Sequence, residues 1–352
     1  FTWLVALGVL ACEAPPTPTI AIASAGGYLD AARMAIADAQ QERPDVAFDT
    51  VVVESNSNAA TDAVAIATRF LKSPGLVGVV GHVTSSASLA TSQLYNEARV
   101  LQLSPTATSV LYSQAGSYSY RMVPPDDRQA RFLCEVVCRQ FQAGARVALL
   151  YVNDDYGRGL RTILRASLDT SPLDVVLDVP HAEDEQRPEA IADIVRAVVD
   201  ARPDVLVFLG SSPSLAAYLS GVRAARPTLP IIGSDAVSSW ERTTVPRALW
   251  QHVSYVDFVD MSATPALQSF SRRFAERTGR MATGPDVLTY DATRLLLQAV
   301  AEGATTGEAV RAYVASLGRE RAAYAAVSGP LQFSPEGDPE RPFVLRMTEP
   351  VR

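Results

Sequence analysis

The chain has 352 residues, 48% of them hydrophobic and 20% charged, enough for two ordinary domains and too apolar for a disordered chain. Its net charge of −7 lacks the basic face that phosphate binding requires, so nucleic acid is excluded as a partner. The histidines, His82, His181 and His252, stand far apart with no metal-ligand spacing. Gly26-Gly27 completes no dinucleotide fingerprint, and no P-loop or nucleophile elbow is present. No catalytic residue, metal or cofactor is therefore expected.

Phe1–Ala11 is nearly all apolar, too short to span a bilayer, and reads as the core of a signal peptide. With no initiator Met and no basic flank, the beginning is expected to be truncated. Val9-Leu10-Ala11-Cys12 resembles a bacterial lipobox, which makes Cys12 the expected lipid acceptor; a plain secretory signal is the alternative. A diacylated terminus holds a protein at a membrane face without spanning it. Glu13–Pro18, EAPPTP, would be a stiff tether.

Thr19–Ala23 is a strand, Ser24–Tyr28 a turn, and Leu29–Gln41 a helix stopped by Pro44. Phe48–Glu54 is a strand, and Ala59–Lys72 a helix. Leu76–Val80 is a strand that ends in Gly81 and a hydroxyl cluster, Thr84, Ser85, Ser86 and Ser88. A helix follows, with Ala87, Ala90, Leu94 and Ala98 at helical spacing. The next strand, Val100–Leu103, runs into Ser104-Pro105, Thr106 and Thr108. Two consecutive strand ends thus carry hydroxyls, one of them at a helix start whose backbone N–H groups lack internal partners. At the carboxyl edge of a parallel sheet this arrangement binds a carboxylate. Ordinary capping and turn formation is the alternative.

Tyr120–Pro125 is a connector, and Asp126-Asp127 starts a helix. That helix carries Cys134 and Cys138, expected as small buried apolar groups, since a bridge one turn apart suits helix geometry poorly. A second series follows: strand Arg146–Val152, helix Arg158–Leu168, strand Asp174–Val179, helix Pro188–Ala201, strand Val205–Leu209, helix Ser214–Ala225 and strand Leu229–Gly233. Val253–Val259 is expected to cross back, with Pro265–Thr278 and Val287–Ala301 as helices of the first lobe. Leu331–Phe333 and Phe343–Met347 are expected as final strands of the second. The expected architecture is α/β: two doubly wound parallel-sheet lobes joined by a three-strand hinge. One lobe takes residues 19–122 and 254–328, the other 123–253 and 329–352, after a signal and tether at 1–18.

The segments GHVTSSASLA, SPTAT, PPDDRQA, YVNDDYGRGL, FLGSSPSLAAYL, PIIGSDAV and GPLQFSPEGDP follow one another along the chain. In that order they resemble the leucine/isoleucine/valine-binding protein family, the type I periplasmic solute-binding proteins of ABC importers. The resemblance implies that Ser85 and Thr108 bind a ligand carboxylate through hydroxyl and N–H, and that the Thr106 carbonyl accepts from an ammonium. It implies that Asp235 neutralises that ammonium, with a helix cap as the alternative, and that Tyr156 lines the pocket. Ser211 stands where the branched-chain binder has a tyrosine, which implies a larger or more polar side-chain pocket than leucine needs. The loop after the first strand is shorter than the family's, and Tyr28 would fill part of the gap. The family's first-lobe disulfide has no counterpart, because the matching places hold Thr84 and residues 55–58. The implied partners are an amino-acid-like ligand, an ABC permease and, through the lipid, a membrane. The implied location is the periplasm or outer cell surface. A sensory receptor with the same lobes, or a binder of amides or small carboxylates, is the alternative.

Overall fold

The computed structural model describes residues 15–24, 27–55 and 59–348; the signal-like stretch and Cys12 lie outside them. The first lobe begins with β1 (Thr19–Ser24), α1 (Leu29–Glu42), β2 (Asp49–Glu54), α2 (Ala60–Phe70), β3 (Leu76–Val80), α3 (Ser85–Glu97), β4 (Leu101–Ser104) and β5 (Ser119–Arg121). Its strands form a parallel sheet in the order β2-β1-β3-β4-β5. Period-two alternation buries both faces: Ile20 and Ile22 join one core, Ala21 and Ala23 the other.

The second lobe follows with α4 (Asp126–Gln140), β6 (Arg146–Val152), α5 (Asp155–Asp169), β7 (Asp174–His181), α6 (Pro188–Asp200), β8 (Val205–Leu209), α7 (Ser212–Ala225), β9 (Ile231–Gly233) and β10 (Val253–Asp257). The chain then adds α8 (Pro265–Thr278), α9 (Gly284–Ala301) and α10 (Gly307–Ser316). It ends in a hairpin, β11 (Tyr324–Ala326) and β12 (Gly329–Leu331), and β13 (Val344–Met347). The second sheet has the order β13-β10-β9-β8-β6-β7, with β13 antiparallel.

Three expectations are corrected. The return to the first lobe does not begin at residue 254: β10 pairs in parallel with β9, and only Phe258 and Val259 enter the first core. The three-residue β9 would otherwise leave an open edge in a buried sheet, and β10 covers it. Leu331 and Phe333 do not reach the second lobe. Leu331 pairs with Tyr324 in the hairpin, and both Leu331 and Phe333 are buried in the first core, with Phe333 edge-on to Tyr120 at 5.4 Å. The last crossing therefore comes near Phe343, which packs on Phe258 and Phe132. Finally, α3 buries Ala87, Ser88, Thr91, Ser92 and Tyr95 rather than Ala90, Leu94 and Ala98. Its inward hydroxyls bond to nearby carbonyls, Thr91 to Ala87 (2.9 Å) and Ser92 to Leu89 (2.8 Å), so they pack close to the sheet without loss.

At Gly81 the turn after β3 passes close against β1. Its φ is +132°, and a Cβ there would stand 2.5 Å from the Ala23 carbonyl oxygen. Cys134 and Cys138 are free thiols, 4.0 Å apart and half-buried against the second core, as small apolar packing groups.

Candidate functional site: a cleft between two sets of strand ends

In the first sheet, strand order reverses between β1 and β3; in the second, between β6 and β8. Loops leaving such points diverge and open a crevice at the carboxyl edge. The two crevices face each other across one cavity of about 410 Å³, within the range of small-molecule sites. Tyr28, Thr84, Ser85 and Thr106 line it from the first lobe. Asp154, Tyr156, Glu183, Ser211, Asp235 and Arg242 line it from the second.

The first-lobe wall is neutral. Thr84 caps α3, its Oγ1 accepting from the Ala87 N–H at 3.2 Å, and places Ser85 in the first turn. Ser85 is 3% exposed, and its Oγ accepts from the Ser109 N–H at 3.2 Å, leaving its own proton to donate. The Thr106 hydroxyl donates to the Val83 carbonyl at 2.6 Å. The other hydroxyls are committed elsewhere. Ser88 and Ser104 both donate to the His82 carbonyl, and Ser86 accepts from the Asp155 N–H of the other lobe at 3.4 Å. Thr108 is not on the wall. Its side chain is fully buried with an unpartnered hydroxyl, and its carbonyl accepts from the Asp126 N–H.

A buried arginine holds this wall in place. Arg121 is 0% exposed. It donates to the carbonyls of Ala107 (3.2 Å) and Ser109 (2.8 Å), to Ser113, and to Asp338 at 2.6 Å. It thus ties β5, the turn after β4 and the C-terminal loop together. His82, beside the same turn, is a packed residue: it is 3% exposed, stacks on Tyr95, and burial pushes it down to about 4.

The second-lobe wall is acidic. Ser234 occupies the helix-cap position and Asp235 the first turn. The Asp235 Oδ1 accepts from the Tyr156 hydroxyl (2.6 Å) and from Gln129 Nε2 (2.8 Å), while Gln129 Oε1 accepts from the Asp235 N–H (3.0 Å). Oδ2 accepts from no side chain among the described residues. Burial raises the Asp235 pKa; Tyr156 and Gln129 oppose it. Asp126 lies fully buried behind, its pKa pushed well up by burial and by Asp235. Asp154 caps α5 through the Gly157 N–H (2.8 Å), and burial raises it too. Burial pushes Glu183 up to about 7, with Ser211 pulling the other way. Ser211 also caps α7, accepting from the Ser214 N–H.

Tyr28 closes the short-loop side. Its hydroxyl is 3.1 Å from Ser239 Oγ, and Arg242 lies over its ring at 4.9 Å. Gly27 makes room, since a Cβ there would meet the Arg242 guanidinium. Arg280 donates to the Gly27 carbonyl (2.6 Å) and to Asp286. Five of the six expected ligand residues, Ser85, Thr106, Tyr156, Ser211 and Asp235, therefore share one cavity; Thr108 lies beneath it. Asp154, Glu183, Arg242 and the supports Gln129, Asp126 and Arg121 are not assigned to the site by the sequence reading. A rule that weighs every polar residue just past a parallel strand would have found Asp154 and Glu183. Among the described residues, no three His, Cys, Asp or Glu side chains group to hold a metal.

The family model of the periplasmic binding proteins matches residues 8–346. An amino acid binding protein of Pseudomonas aeruginosa is 28% identical over 183 residues, 52% of this chain and 48% of that relative. A Leu/Ile/Val-binding protein homolog of Brucella suis is 22% identical over 281 residues, 79% of this chain and 73% of the relative. The chain thus spans about half the length of the first of these relatives. A leucine binding protein from Thermotoga maritima superposes with a TM-score of 0.78 at 19% identity, covering 94% of this chain and 95% of that one. A solute binding protein of R. palustris in complex with benzoate gives 0.77 at 17% identity, covering 95% and 94%. At such identities the likeness is one of fold. Since the family match runs through both lobes and every crossing between them, the chain belongs to the periplasmic binding protein family.

Proposed function

We propose that this protein captures a small amino-acid-like solute outside the cytoplasm and presents it to an ABC permease, held at the membrane by lipid on Cys12. One observation carries the reading: a neutral, donor-bearing wall faces an acidic wall across a single cavity between lobes. The Ser85 hydroxyl and the first-turn N–H groups of α3 suit a carboxylate without any arginine. Asp235, held by Tyr156 and Gln129 on one oxygen, suits an ammonium on the other. Thr106 lines the same cavity, and its carbonyl would serve as a second acceptor. Contacts between lobes, Ser86 with Asp155 and Tyr28 with Ser239, belong to a closed form. A solute touching both walls would favour that form over an open one. The amino acid and Leu/Ile/Val-binding proteins among the relatives support the same class of solute.

A thermal-shift screen of the purified protein against amino acids, amides and small carboxylates tests this. A true ligand at a hundred times its Kd stabilises by about 2.7 kcal/mol, and scattering should show a smaller radius of gyration with it. α-Amino acids should give the largest shifts; equal shifts from simple carboxylates would contradict the ammonium site. For the anchor, Cys12→Ala should move the protein from the membrane to the soluble fraction, and unchanged partitioning would contradict lipidation.

A further inference from the structure

Behind the acidic wall lies a second cavity of about 540 Å³, and Glu183 lines both. His181 and Tyr218 also line it, 5% and 1% exposed. Each keeps one polar atom without a hydrogen-bond partner, His181 Nε2 and the Tyr218 hydroxyl. Buried groups of this kind are uncommon and costly. The tautomer of His181 follows from its neighbour. Nδ1 lies 2.8 Å from the Ala182 carbonyl, which can only accept, so Nδ1 carries the proton and Nε2 is a bare acceptor. Burial lowers the His181 pKa, which keeps the ring neutral at pH 7.

The charges in this region are unbalanced. Ion pairs with Arg158 and Arg187 take Asp155 and Glu185; none among the described residues takes Glu183 or Asp154. Glu183 feels the charge of Asp154, and Glu185 and then Glu183 act on the Tyr218 hydroxyl. The region thus combines two carboxylates that no ion pair takes among the described residues, although the Arg158 charge reaches Asp154, with a bare ring nitrogen and an idle hydroxyl. An apolar side chain placed here would leave these groups unpaired. A cation with several N–H donors would satisfy them.

We propose that Glu183, flanked by Asp154 and backed by the Tyr218 hydroxyl, is a second polar subsite that receives a guanidinium or ammonium at the end of an amino acid's side chain. The proposal rests on the reading of the cleft as an amino-acid site. Isothermal titration of the full chain with L-arginine, L-lysine and L-norleucine tests it, in the wild type and in Glu183→Gln, Tyr218→Phe and Asp235→Asn. Arginine or lysine should bind at least about tenfold more tightly than norleucine. Glu183→Gln should bring that ratio near one, and Tyr218→Phe should lower it about threefold. Because the ratio is taken within one variant, a partly unfolded sample does not alter it. A wild-type ratio near one, or a ratio that Glu183→Gln leaves intact, overturns the subsite. If norleucine binds and Asp235→Asn weakens all three amino acids alike without any basic preference, the subsite fails and the cleft reading stands. If no amino acid binds, both fail.

Discussion

The two walls of the cleft are made from the same material, loops that leave parallel strands at a reversal of strand order, yet they carry opposite chemistry. The first-lobe wall offers hydroxyls and helix N–H groups, and the buried charge of Arg121 sits behind it, bonded to backbone carbonyls and Asp338. The second-lobe wall offers Asp154, Glu183 and Asp235. A buried donor wall costs little, because its partners are caps and turns already built. A buried acidic wall is costly until a cation arrives, and the raised pKa values of all three acids express that cost.

The largest break in this contrast should come from the first wall's support. Arg121→Met leaves Asp338 without its partner and frees the turn carrying Thr106, so stability should fall by about 3–5 kcal/mol. Urea unfolding measures it, and a loss under about 1 kcal/mol would mean that the turn holds itself. Next comes the charge of the second wall. Asp235→Asn should weaken binding of an α-amino acid by about 2–3 kcal/mol, while hexanoate, which has no ammonium, should change less than about twofold. A smaller effect is expected on the donor side: Ser85→Ala should cost about 1 kcal/mol for amino acid and hexanoate alike. Loss confined to the amino acid would place Ser85 at the ammonium instead.

The smallest effect is one of pH. The folded Glu183 titrates at about 7, above its ordinary value, so between about pH 4.5 and 7 the folded protein holds more protons than the unfolded chain. That contribution to stability is full below this window and is lost as pH rises through it. Without ligand, Glu183→Gln should therefore melt higher than the wild type at about pH 7.5, by up to about 1 kcal/mol at a part-open site, and the gap should close by about pH 4.5. Asp257, fully buried near the second crossing and also pushed up to about 7, acts in the same direction. A gap that widens on acidification would show that Glu183 is ion-paired in the folded state.

Local pattern made the alternating strands and helices legible, because each is encoded within a dozen residues. Which sheet takes Val253–Asp257 was not legible. It depends on a three-residue neighbour, β9, whose edge needs covering. The hairpin that holds Leu331 against the first core was hidden for the same reason. The hydroxyl turns that carry Ser85 and Thr106 could be read from the sequence because each follows a strand; Ser211, Tyr156 and Asp235 were legible through the family resemblance. Thr108 does not line the cavity: Arg121 bonds the carbonyls on either side of it, and the contact from Arg121 to Asp338 spans 217 positions. Gln129 supports Asp235 across 106. Such supports leave no local signature.

The contrast between the walls is tested most directly by titrating L-norleucine, hexanoate and pentylamine into the wild type by calorimetry. These probes carry both charged groups, the carboxylate alone and the ammonium alone. The opposed walls predict that norleucine binds at least about thirtyfold more tightly than either truncated probe. Norleucine no tighter than hexanoate would contradict the account, because the acidic wall would then hold nothing.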